Sequence, residues 1–222
     1  MYVINTTFER PDPKLVARAR DTWACIAGQV AGRCCVMDSG IRPLRRDWRF
    51  AGPALTVTSD DPSDTLVNRV ATQYVEPGDV IVIDAGGRMN TSCWGATMAW
   101  AAKESGAVAV VADGVVLTTE LLIDHEGLPV FCRGSTARWV GGEGPGSMNV
   151  PIVCGGVIVN PGDIILGDED GVVVLPRERA EAILDGAGQQ RLDPYPPVSR
   201  KVPFGERGLQ ERLRGMEGIE WR

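Results

Sequence analysis

Histidine is almost missing from this chain, with one, His125, in 222 residues. A metal site built on several imidazoles is therefore excluded, and a Ser-His-Asp triad would hang on that single residue. His125 stands in Ile123-Asp124-His125-Glu126-Gly127, which reads as the polar end of a helix, where the macrodipole tolerates a cation. A basic field is missing too: 23 Lys and Arg face 29 Asp and Glu, with a formal net charge of -6 and the signs interspersed. Nothing here neutralises a phosphate backbone, so nucleic acid is not an expected partner. No stretch approaches the roughly 20 apolar residues of a membrane span. Residues 1–20 mix apolar and charged side chains where a secretory signal would need an apolar core. The expectation is a soluble, cytoplasmic protein with no membrane partner. The six cysteines, Cys25, Cys34, Cys35, Cys93, Cys132 and Cys154, offer no Cys-x-x-Cys spacing, so they read as reduced core residues.

What is present is enough apolar chain to bury a core of its own, arranged as alternating helices and strands. Leu15, Val16, Ala19, Trp23 and Ile26 follow the helical period, and Asp12-Pro13 is a helix opening, which predicts one helix over residues 12–31. A short β-branched strand at 54–58 precedes a helix over 63–74 capped by Ser63. The turn Pro77-Gly78-Asp79 leads into the apolar run 80–84, of the kind buried on both faces of a sheet, and a glycine-rich turn follows. A helix over 94–105, ended by Gly106, and an apolar strand at 107–112 complete a βαβ unit. Beyond it come a short helix at 119–125 and a strand at 129–132.

The glycines of 141–146 do not make a phosphate loop, because a strand follows them where such a loop needs a helix N-terminus. They read as a mobile surface loop. Further strands fall at 149–153, 157–159, 164–166 and 172–175, and Asp170-Gly171 predicts a type I′ hairpin turn. The acidic run Asp168-Glu169-Asp170 lacks the spacing of a calcium loop and reads as part of that turn. A helix over 177–186 is followed by a proline-rich arm at 193–203 and a short helix at 208–216 that needs something to dock on.

Three stretches carry a family resemblance. They are Val75-Glu76-Pro77-Gly78-Asp79-Val80-Ile81-Val82-Ile83, then Asn-Val-Pro-Ile-Val-Cys-Gly-Gly-Val at 149–157, then Asn-Pro-Gly-Asp-Ile-Ile-Leu-Gly-Asp-Glu-Asp-Gly-Val-Val-Val-Leu-Pro at 160–176. Ile41-Arg42-Pro43-Leu44, Ala-Gly-Pro-Ala-Leu-Thr-Val at 51–57 and Gly218-Ile219-Glu220-Trp221 fit as well. In order and spacing the chain resembles the RraA-like and 4-hydroxy-4-methyl-2-oxoglutarate aldolase-like family. The resemblance implies an α/β fold of the swivelling β/β/α type over residues 1–190. The arm and helix of 191–222 would pack on a neighbouring subunit of a homotrimer or homohexamer. It also implies aldol cleavage or oxaloacetate decarboxylation, with a divalent metal, Mg or Mn, acting as Lewis acid on a 2-oxo acid.

The chain departs from that pattern where the chemistry would lie. The helix opening is Trp94-Gly95-Ala96-Thr97-Met98, with alanine where the family has a carboxylate. The next loop is Asp113-Gly114-Val115-Val116-Leu117-Thr118, with leucine for the family's arginine and threonine for its metal-proximal aspartate. Losing that arginine removes a permanent, bidentate carboxylate holder. Trp94, Gly95, Ala96, Thr97, Met98, Asp113, Leu117 and Thr118 are then the expected substrate-binding residues, with Cys93 beside them. Thr118, Glu120, Asp124 and Arg88 are the candidates for catalysis, and no metal ligand set is expected. The function read from this is a divergent lyase acting on a small metabolite other than the usual charged 2-oxo acids. The alternative is a non-catalytic binding or regulatory protein.

Overall fold

Asp12 opens the first helix with its carboxylate accepting from the Lys14 amide at 2.8 Å, and Pro13 takes the first helical position. The helix expected over 12–31 is nevertheless two helices, α1 (Pro13–Arg20) and α2 (Ala24–Ala31). The break has a long-range cause. Trp23 is extended, and the buried carboxylate of Asp168 accepts from the Ala24 amide at 2.8 Å, starting a new helix there. The computed structural model describes residues 1–61, 63–139, 141–189 and 209–217.

The chain continues through β1 (Arg42–Pro43), β2 (Phe50–Ser59), α3 (Leu66–Ala71), β3 (Val80–Trp94), α4 (Ala96–Glu104), β4 (Ala109–Val116) and α5 (Thr119–Leu121). A π-helical turn, Leu122–Glu126, prolongs α5 and carries His125, whose side chain lies outside the described residues. Next come β5 (Val130–Cys132), β6 (Gly134–Ser135), β7 (Gly146–Met148), β8 (Ile152–Cys154), β9 (Val157–Val159), β10 (Ile164–Asp168), β11 (Gly171–Leu175) and α6 (Ala180–Gln189). The sheet order is β1-β5-β4-β3-β2-β10-β11, with β6 on β4, β7 on β2, and β8-β9 as a separate pair. Neighbours among β2, β3, β4 and β5 are parallel, joined in turn through α3, α4, and α5 with its π-helical turn. Their apolar runs are buried on both faces, as central parallel strands require.

Two cores result. Leu55, Ile81, Ile83, Trp94 and Phe131 fill one, and α1, α2 and α6 pack Ala19, Ala27, Ile183 and Leu184 against Leu166, Val173 and Leu175 in the other. This mixed α/β architecture is the expected one. Residues 190–222 form a second unit, in which α7 (Leu209–Arg214) is described. The expected arm at 193–203 lies outside the described residues. Among the described residues no helix is long and apolar enough to cross a membrane.

Several local expectations fail for identifiable reasons. β3 does not end at 84 in a turn: it runs on through Gly86 (φ 63°) and Gly87 (φ 70°), and its register with β4 slips three times before Trp94. These bulges carry the strand around to the start of α4. α3 is shorter than 63–74 and Ser63 is not its cap; Thr65 stands there and makes no side-chain capping bond. The β10-β11 hairpin is closed by Glu169 and Asp170, neither of which has positive φ, so the turn is not type I′. Asp168 supplies the closure, accepting from the Asp170 amide at 3.0 Å. Of the cysteines, Cys25 and Cys34 are exposed and four are buried.

Candidate functional site

The bulged end of β3 delivers Trp94 and Gly95, and the end of β4 delivers Leu117 and Thr118 against them. Gly95 is the residue before α4, and a Cβ there would stand 3.1 Å from Leu117 Cδ1 and 3.5 Å from Thr118 Oγ1. A side chain there would press on Leu117, which would have to give by a few tenths of an ångström. Thr118 joins the two segments: its hydroxyl accepts from the Ala96 amide at 3.0 Å and donates to the Leu117 carbonyl at 2.7 Å. It does so in the left-handed region (φ 56°, ψ 42°), a conformation that a β-branched residue rarely holds. Trp94 is buried and its indole Nε1 has no hydrogen-bond partner.

A cleft of about 520 Å³ opens over this junction. Its second wall is α3 with its two cap residues, which contribute Thr65, Arg69 and Thr72, and its rim carries Trp139, Gly141 and Glu143. Arg69 Nη2 lies 3.4 Å from Glu143 Oε1, and both side chains are exposed. Ser92 also lines the cleft, its hydroxyl donating to the Arg138 carbonyl at 3.2 Å.

Of the residues singled out in the sequence, Trp94, Gly95, Ala96, Thr97, Met98, Leu117 and Thr118 line this one cleft. Asp113 does not. Its carboxylate is buried behind the sheet end, bonded to the Arg133 guanidinium and to the Gly155 amide at 2.9 Å, and Arg133 also reaches Asp38 at 3.0 Å. Glu120 and Asp124 are exposed and lie outside the cleft, as does Arg88, which faces Asp61 at 3.8 Å. Cys93 does not line it either: burial pushes its thiol up to about 12, and the group donates to the Val115 carbonyl. Asp84 is half-buried near Asp113. Desolvation first, then the Asp113 charge, raises its carboxyl above the ordinary range, against the Gly86 amide that lowers it.

Among the lining residues the sequence did not point to are Thr65, Arg69, Thr72, Trp139 and Glu143. Thr65, Arg69 and Thr72 do share one helical face by their spacing. Nothing in the sequence, however, sets α3 beside α4.

The divalent cation implied by the resemblance does not fit the groups present. Hard cations need several oxygens, mostly carboxylate. Here Ala96 offers none, the Thr118 hydroxyl is already used in both directions, and Glu143 is the one carboxylate among the described lining residues, too few for such a shell. Among the described residues no three His, Cys, Asp or Glu gather in a way that could hold a metal ion.

A family model for RraA-like proteins, Aldolase/RraA, matches residues 17–174. A putative 4-hydroxy-4-methyl-2-oxoglutarate aldolase of Halalkalibacterium halodurans is 38% identical over 157 residues, covering 71% of this chain and 74% of that protein. A 4-hydroxy-4-methyl-2-oxoglutarate aldolase of Thermus thermophilus is 34% identical, covering 58% of this chain and 76% of its own. Among solved structures, Streptomyces coelicolor RraAS2, described as an unusual member of the RNase ES inhibitor RraA protein family, superposes with a TM-score of 0.74. It is 30% identical, with 83% of this chain and 95% of that one covered.

Proposed function

Because the chain belongs to the RraA-like family, its model matching residues 17–174, we propose that it is a lyase that acts on a small carbonyl metabolite in the cleft over the start of α4. The substrate is less charged than the 2-oxo diacids of the aldolases it resembles. The observation that carries this reading is the Thr118 junction: a strained residue kept in place by two hydrogen bonds at the mouth of a cleft of about 520 Å³. Strain of this kind clusters at functional sites, and the volume suits a small ligand.

The chain's own groups allow part of the chemistry. The first-turn amides of α4, at Thr97 and Met98, have no intrahelical acceptor and can receive a developing oxyanion, aided by the helix dipole. Leu117, Met98 and Trp139 offer the substrate an apolar wall. No carboxylate or arginine stands at Ala96, Leu117 or Thr118. If each lost electrostatic contact costs about 3 kcal/mol of transition-state stabilisation, two lower the rate by roughly four orders of magnitude. Cleavage of 4-hydroxy-4-methyl-2-oxoglutarate and decarboxylation of oxaloacetate are therefore expected to be slight. A coupled pyruvate assay with magnesium or manganese tests this, and turnover within tenfold of an ordinary aldolase of the family would refute it. The positive test is a screen of neutral and singly charged carbonyl metabolites for thermal stabilisation and for turnover by mass spectrometry.

A second reading, a binding or regulatory protein without catalysis, is favoured by the same missing charges and by the likeness to a protein described as a member of an RNase inhibitor family. Such a protein should show neither stabilisation nor turnover in the screen. In either case the assembly proposed is a trimer or a hexamer. The exposed apolar pair Val153 and Ile158, opposite each other on β8 and β9, supports a covered face there.

A further inference from the structure

Among the described residues lining the cleft, Arg69 is the one cation, and the proposed reaction gives it no role. It stands on α3, with Thr65 one turn before it and Thr72 one turn after, all three on the wall facing the cleft. Among the described residues its ionic partner is Glu143, met through a single 3.4 Å contact between side chains 46% and 72% exposed. Exposed pairs of this kind hold weakly. The guanidinium can therefore exchange Glu143 for another carboxylate at little cost, and Glu143, once released, stays in water. The remaining walls are neutral and largely apolar: Trp94, Ala96, Met98, Leu117 and Trp139.

Resting on the reading of this cleft as a small-molecule site, we infer that Arg69 is its anion receptor and that the ligand is a monocarboxylate with an apolar body. The carboxylate takes the place of Glu143 on the guanidinium fork, and the apolar part lies against Trp139, Leu117 and Met98. One cation accounts for one anionic group. A dicarboxylate would set its second charge against apolar wall or against Glu143, and either arrangement disfavours it. Arg69 thus replaces, from a different element, the arginine that Leu117 has displaced.

The test is equilibrium binding to the full chain, followed by calorimetry or Trp fluorescence, with phenylpyruvate and 4-methyl-2-oxopentanoate as probes and their carboxamides and oxaloacetate as controls. The monocarboxylates should bind at least about tenfold more tightly than the amides and than oxaloacetate. Arg69→Met should remove that margin, while Arg69→Lys, a point charge without the fork, should keep part of it. Glu143→Gln, which removes the internal competitor, should tighten binding a few-fold. Arg69 is exposed, so both variants should fold, which circular dichroism checks. Equal affinity for acid and amide, or unchanged affinity in Arg69→Met, overturns the inference. Thr97→Trp then separates the two claims. If it blocks both probes the cleft is still the site and only the role of Arg69 falls; if it blocks neither, the cleft reading falls as well. No binding of either monocarboxylate at millimolar concentration overturns the inference outright.

Discussion

Thr118 holds a left-handed backbone while its hydroxyl bridges the Ala96 amide and the Leu117 carbonyl. The conformation costs a side-chain-bearing residue roughly 1–2 kcal/mol and the bridge returns about the same. Thr118→Ala keeps the strain and loses the bridge, so it should destabilise by about 1–2 kcal/mol, a fall of about 2–8 °C in Tm. Thr118→Gly loses the bridge but also the strain, and should melt within about 1 kcal/mol of the parent chain. If thermal melts rank glycine below alanine, the strain assigned to Thr118 is wrong. Asp84 gives a pH-dependent counterpart. Its folded carboxyl titrates above its unfolded value, so the native state binds more protons and stability falls as pH rises through that window. The cost builds as pH rises out of the acid range and is absent well below the ordinary carboxylate value of about 4, where the carboxyl is protonated in both states. Asp84→Asn should therefore raise Tm at neutral pH and lose that advantage at low pH. An equal gain at both pH values would mean that packing, not charge, is responsible.

At the scale of elements, the sequence was most legible where one physical signal dominated. The apolar runs 80–83 and 109–112 became the parallel centre of the sheet, and Asp12-Pro13 and Gly106 bound helices where expected. It was least legible where a distant group decides. No periodicity in 12–31 reveals that Asp168 will cap Ala24, and no turn rule reveals that β3 continues through Gly86 and Gly87 because β4 accepts the bulges. The cleft shows the same division. Its α4 and β4 side was readable because both segments belong to one βαβ unit, whereas Arg69 and Glu143 come from elements whose approach is set only by tertiary packing. Asp168 makes a quantitative case. It is buried and accepts from both Ala24 and Asp170. Asp168→Ala leaves two amides without their acceptor and should destabilise by roughly 2–4 kcal/mol, with Asp168→Asn milder. Denaturant titration would show whether the α1-α2 break depends on it. A loss below about 1 kcal/mol would mean that it does not.

For the whole molecule, the proposed trimer or hexamer can be checked by light scattering, where a monomer at micromolar concentration would contradict it. The Asp168 cap has a further consequence, which concerns the order in which the chain leaves the ribosome. The group that starts α2 lies 144 positions downstream of it. β2 likewise waits for β10, pairing Phe50–Pro53 with Ile164–Gly167, and α2 packs on α6 and β11. The N-terminal quarter is therefore committed to remain unfinished through most of synthesis, its apolar helix faces uncovered until the last strands emerge. Such non-local closure slows folding and leaves a long window for capture by chaperones or by another nascent copy. Nascent chains stalled just before β10 should be cut by protease within residues 13–31, and the released full-length chain should resist.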